Sequence, residues 1–104
     1  MVCLGHMVVL TQIVYLHPGQ EAAFDAFEAI ALAAVERHGG ELLLRLRPAP
    51  AATLAGSLAP PHEVHLVRFP DEAHLASFQA DPTRASVLHL KSASVRETLL
   101  FRGS

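Results

Sequence analysis

The chain has 104 residues, 51% of them apolar and 17% charged, with a formal net charge of −2. That is one domain, long enough to bury a core without staples and too apolar to be disordered. No stretch approaches the ~18 apolar residues of a membrane helix, and the acidic balance lacks the basic excess of a nucleic-acid binder. A single thiol, Cys3, makes no intrachain disulfide, and the N-terminal residues lack the basic start of an export signal, so the expected compartment is the cytoplasm.

Residues 1–7 are expected to be a flexible N-terminal extension of a single domain over 1–104. Val8–Leu16 is rich in β-branched residues and ends at His17-Pro18-Gly19, a turn signal, so it reads as a strand covered on both faces. Over residues 20–38 the period changes. Ala23, Phe24, Phe27, Ala31, Ala34, Val35 and His38 recur at three and four, one stripe of a helix. Glu21, Asp25, Glu28 and Glu36 are expected largely off that stripe, and His38-Gly39-Gly40 supplies the stop. Glu41–Arg47 alternates, with Leu42, Leu44 and Leu46 expected under the helices and Leu43, Arg45 and Arg47 opposite. Residues 48–60 carry neither charge nor period. So long a connection is expected to be the least ordered internal segment, or else a lid anchored by Leu54 and Leu58. Glu63–Phe69 is a third strand stopped by Pro70, with His65 and Val67 on the helix side and Val64, Leu66 and Arg68 away from it. Asp71 caps a short helix through Ala80, and Asp81-Pro82 starts a second helical piece to about Ser92. Val95–Arg102 closes the chain as a strand, with Val95, Leu99 and Phe101 expected toward the core and Arg96, Thr98, Leu100 and Arg102 opposite. The order β-α-β-β-α-β is the split βαβ of an α+β, ferredoxin-like fold: a four-stranded antiparallel sheet with helices on one face.

Several segments then carry a resemblance. They are Pro18-Gly19-Gln20-Glu21 entering an aromatic-bearing helix, His38-Gly39-Gly40-Glu41-Leu42 leading into a strand with Arg45, Val67-Arg68-Phe69-Pro70-Asp71-Glu72-Ala73, and the closing Leu100-Phe101-Arg102-Gly103. Over residues 8–103 the chain resembles the small bacterial family known as domain of unknown function thirteen-thirty, within the dimeric α+β barrel superfamily. The resemblance implies a homodimer in which two four-stranded sheets face each other. Where that family often has an acidic residue before Phe-Pro, this chain has Arg68. Where it tends to have Glu-Gly in the loop after strand two, this chain reads Ala55-Gly56. Relatives in the superfamily include cofactor-independent monooxygenases, small isomerases and haem enzymes, so the fold by itself leaves the chemistry open.

The residues give chemistry only in outline. No nucleophile elbow, phosphate loop or dinucleotide fingerprint appears, and no cofactor is expected. The seven histidines do not stand at metal-ligand spacing: His62 and His65 project to opposite faces of a strand, and neither His74 nor His89 has a ligand beside it. His38 reads as a helix C-terminal residue at the negative dipole end. His65, on a central strand, needs a partner if buried. Asp81 fits a helix N-cap better than a catalytic acid. By strand parity five basic residues point to the open face, and four of them, Arg45, Arg68, Arg47 and Arg96, are the expected ligand-binding set. Arg45 and Arg68 together would hold an anion, with Glu63 and Glu97 on the wrong parity to neutralise them. Two functions remain open: binding or transforming a small anionic organic molecule in a barrel cavity, or a non-catalytic homodimeric module whose arginines serve the interface. A homodimer is expected on either, because the bare sheet face would show Leu43, Val64, Leu66 and Leu100. Neither nucleic acid nor membrane is an expected partner.

Overall fold

The computed structural model describes residues 7–103, so Cys3 and the expected extension short of Met7 lie outside the described residues. Strands β1 (Val8–Leu16), β2 (Glu41–Leu46), β3 (Glu63–Phe69) and β4 (Val95–Gly103) form one antiparallel sheet in the order β2-β3-β1-β4. A long helix, α1 (Glu21–Arg37), and three short ones, α2 (Glu72–Gln79), α3 (Pro82–Ala85) and α4 (Leu88–Ser94), cover one face. This is the ferredoxin-like α+β arrangement that the element order implied. The second helical piece differs in one respect, being broken at Ser86-Val87 into α3 and α4.

The core lies between α1 and the sheet. Phe24, Phe27, Ala31, Ala34 and Val35 of α1 are buried on one stripe, facing Val8, Leu10 and Val14 of β1 and Val67 and Phe69 of β3. Glu28 lies on this stripe too, four residues after Phe24, and is buried, which corrects the expectation that it falls off the stripe. Helix α1 ends as expected at Gly39, which takes the left-handed conformation (φ +75°). Gly40 is required for a different reason: a Cβ there would sit 2.6 Å from the Phe69 ring and 2.8 Å from Val35. Asp71 and Asp81 cap α2 and α3, accepting hydrogen bonds from the backbone N–H groups of His74 and Arg84, both at 2.9 Å.

Parity is where the sheet departs from its sequence pattern. On β1 and β3 the alternation is regular, and Glu63, His65, Val67 and Phe69 all face the helices. On β2, Leu42 pairs with Val67 but Leu44 pairs with Leu66, leaving Leu43 as an extra, bulged residue. The bulge turns the rest of the strand over. Arg45 therefore lies opposite His65 on the helix face, while Leu44 and Leu46 look outward. Strand β4 has the same device: Val95 pairs with Leu16 and Glu97 with Tyr15, so Arg96 is the extra residue. Beyond it Thr98, Leu100 and Arg102 pair with Val14, Gln12 and Leu10 on the helix face, and Leu99 and Phe101 face outward, the reverse of the expectation. Both bulges sit on edge strands, where a strand paired on one side only accommodates an extra residue most easily.

The connection between β2 and β3 holds one short 3₁₀ turn, Pro50–Ala52. It is tied down where Tyr15 Oη donates to the Ala59 carbonyl (2.9 Å) and the His62 N–H donates to the Val14 carbonyl (2.8 Å). Leu54 and Leu58 are exposed, at 96% and 57%, and neither is seated on the protein as a lid anchor would be.

Candidate functional site

Strand β3 delivers two polar side chains to a layer that is largely apolar. Glu63 and His65 are each only 1% exposed, and both lie on the helix face because the strand alternates without a break. His65 Nε2 stands 2.7 Å from Glu63 Oε1, and its ring stacks on Phe24 at 6.3 Å between centroids. The partner that a buried histidine needed is thus two residues away on its own strand.

Glu63 also accepts from the arginines that the β2 bulge turns inward. Arg45 Nε donates to Glu63 Oε1 (2.7 Å) and Arg45 Nη2 to Oε2 (3.0 Å), a two-pronged pair, while Arg47 Nε donates to Oε2 (3.1 Å). Arg47 reaches on to Asp25 of α1 (3.0 Å). Burial by itself would raise the proton affinity of Glu63. The hydrogen bonds from Arg45, His65 and Arg47 outweigh it and hold the carboxyl at about 2. An ionised Glu63 accepts the His65 Nε2–H and leaves Nδ1 as the lone-pair nitrogen, 3.9 Å from Glu28 Oε2. Glu28 moves the other way: burial pushes its carboxyl up, against the attraction of His65 and Arg45.

A cavity of about 70 Å³ opens beside this row, between α1 and the sheet, several times the space one water needs. Its walls are mostly apolar, with the rings of Phe24, Phe27, Phe69 and Phe78 among them. The polar groups that reach it are Gln12, Glu28, His65, Arg84, Lys91 and Thr98. An apolar lining with a few convergent polar groups, one a carboxyl pushed up by burial, is that of a small-molecule site, in a volume well below the ~300 Å³ at which the usual ones begin.

The expected ligand-binding arginines do not converge. Arg45 and Arg47 face the helices and are neutralised by Glu63 and Asp25 of the same chain; the cleft of about 350 Å³ beside them is open to solvent. Arg68 is on the opposite face, paired with Glu41. Arg96 lies 5.3 Å over the Tyr15 ring in the β4 bulge. The shared anion site of Arg45 and Arg68 is therefore corrected: the two stand on opposite faces of the sheet, and Glu63, expected on the wrong parity, is the counter-ion of Arg45. Sequence reasoning missed Glu28, Gln12, Arg84 and Lys91. Gln12 was legible as a polar residue between Leu10 and Val14 on a buried strand face, and Glu28 by its place four residues after Phe24.

Asp81 binds elsewhere. It accepts from Arg37 (3.0 Å), stands 2.7 Å from His38 Nε2 and caps α3, and these bonds, led by the Arg84 N–H, hold its carboxyl well below the usual carboxylate range. It fastens the end of α1 to the start of α3. Among the described residues no group of three or more His, Cys, Asp or Glu side chains is placed to hold a metal ion, and no helix is long and apolar enough to cross a membrane.

No family model matches the chain, and no curated protein does. Solved structures do. A protein of unknown function from Rhodopseudomonas palustris is similar with a TM-score of 0.80 at 18% identity, covering 95% of this chain and 82% of that one. A dabb family protein with a ferredoxin-like fold from Mesorhizobium loti has a TM-score of 0.68 at 16% identity, covering 95% and 96%. A cofactor-independent oxygenase from Streptomyces nogalater has a TM-score of 0.62 at 17% identity, covering 95% and 94%. The chain has the ferredoxin-like fold of these proteins.

Proposed function

We propose that the protein binds a small, largely apolar organic molecule in the cavity between α1 and the sheet and takes a proton from it with His65. The observation that carries this is the buried row Glu63–His65–Glu28, closed by two arginines at one end and facing an apolar cavity at the other. In the proposed step the ligand's acidic C–H breaks. Its electron pair stays on the ligand as an enolate, and the proton goes to His65 Nδ1; Glu63 balances the imidazolium that forms. Returning the proton to another atom is an isomerisation. The same abstraction would also prepare a ligand for oxygenation without a cofactor, the activity named for the Streptomyces nogalater neighbour. The expected resemblance to domain of unknown function thirteen-thirty has no matching family model behind it and adds no reaction to this reading.

Phenylacetone in deuterium oxide is a suitable neutral probe, its benzylic C–H exchange being followed by proton NMR. The wild-type chain is expected to shift amide signals of Gln12 and Thr98 and to accelerate exchange, with His65→Gln slowing it at least ~100-fold, the usual worth of a positioned base. Equal exchange with and without His65, or no binding in the cavity, would favour the ligand-free dimeric module.

A further inference from the structure

The chain has eight Lys and Arg residues. Five of them, Arg37, Arg45, Arg47, Arg68 and Arg102, are paired with carboxylates of the same chain. Arg96 rests over Tyr15. The remaining two, Arg84 and Lys91, come from different helices, α3 and α4, and both reach the cavity of the proposed site. Neither has a carboxylate at ion-pair distance among the described residues. Arg84 lies 5.0 Å over the Phe78 ring and makes one long hydrogen bond (3.4 Å) to the Gln79 carbonyl. Its Nε is buried with no partner, an arrangement that costs free energy until an acceptor arrives. Glu28 is the carboxyl whose charge acts on Lys91, and burial pushes that carboxyl up. Two cations that reach a mostly apolar cavity are the setting in which an anionic group binds firmly.

We infer that the ligand carries a carboxylate, held by Arg84 and Lys91, with its apolar body among the phenylalanines and its acidic C–H toward His65. The substrate class is a small aryl- or alkyl-substituted carboxylic acid with an activated carbon. This rests on the reading of the cavity as the binding site and adds the anion and the two residues that recognise it. It also returns the anionic ligand anticipated from the arginines to a different pair of cations.

Phenylpyruvate and phenylacetone separate the two layers, since they differ by a carboxylate in place of a methyl group. NMR titration of the full chain is expected to show phenylpyruvate binding on the order of tenfold or more tighter than phenylacetone, as hydrogen bonds to a charged group predict. In Lys91→Met and in Arg84→Met the ratio of the two affinities is expected to fall toward one, while Lys91→Arg, which keeps the charge, retains it. Phenylacetone binding as well as phenylpyruvate would overturn this inference and leave the cavity reading standing. A preference unchanged in both Met variants would overturn the assignment of Arg84 and Lys91. Binding of neither probe would overturn both layers together.

Discussion

Glu63 and Glu28 are buried within one cluster, yet their surroundings drive their proton affinities apart. Glu63 sits at about 2, below the ordinary 4.5, because three side chains donate to it. A group with a depressed folded value stabilises the fold above its ordinary range and loses that contribution as pH falls through it. The expected outcome is a loss of roughly 3 kcal/mol between pH ~4.5 and ~2, measured by urea unfolding, that Glu63→Gln abolishes. At pH 7 the same substitution leaves Arg45 and Arg47 without a buried counter-ion and is expected to cost about 3 kcal/mol. Glu28 has the opposite sign. Its raised value means that its neutral form suits the fold, so its contribution is present at low pH and lost as pH rises through the carboxylate range. Glu28→Gln is therefore expected to stabilise the protein at pH 7 by on the order of 0.5–2 kcal/mol, the gain shrinking as pH falls toward ~4.5 and absent below it. A destabilised Glu28→Gln at pH 7 would mean that the carboxylate is needed charged.

Two single-residue bulges decide which side chains the edge strands present. Leu43 is exposed, so its own side chain adds little, yet its backbone turns Arg45 and Arg47 toward Glu63. Removing the residue and trimming it should then differ sharply. Leu43→Ala is expected to cost less than ~1 kcal/mol, since exposed positions tolerate truncation. Deleting Leu43 restores regular alternation, sends both arginines to the open face and strands an ionised Glu63, at an expected cost of 3 kcal/mol or more. Denaturant midpoints of the two variants check this, and similar values would show that β2 re-registers without the bulge.

The molecule as a whole leaves one sheet face bare. Register places two rows across it, Leu44–Leu66–Thr11–Phe101 and Leu46–Val64–Ile13–Leu99. Leu44, Leu46 and Phe101 are 42%, 38% and 56% exposed in the single chain. A continuous apolar face of this kind favours a second copy packed about a twofold axis. Light scattering at micromolar concentration is expected to give twice the 11.2 kDa chain mass, and Leu44→Lys with Phe101→Lys the single mass. A wild-type monomer would sink the dimer. The residues that make this face are largely not those the sequence pattern named: Val64 and Leu66 hold their places on β3, but Leu43 and Leu100 do not belong to it.

The sequence by itself determined the elements, the helix caps at Asp71 and Asp81, the stop at Gly39, and the parity of β3. Those depend on local rules: the periods of strand and helix, the reach of a short carboxylate to a backbone N–H, and the left-handed freedom of glycine. It also flagged His65 as needing a partner. Only the tertiary structure decided where the arginines point, because an inserted residue in an edge strand leaves no mark in the alternation and reverses every side chain beyond it. The same holds for the cavity. Glu28, Arg84 and Lys91 come from three helices, and their meeting around one space is set by how those helices dock on the sheet, which no period within any single segment encodes.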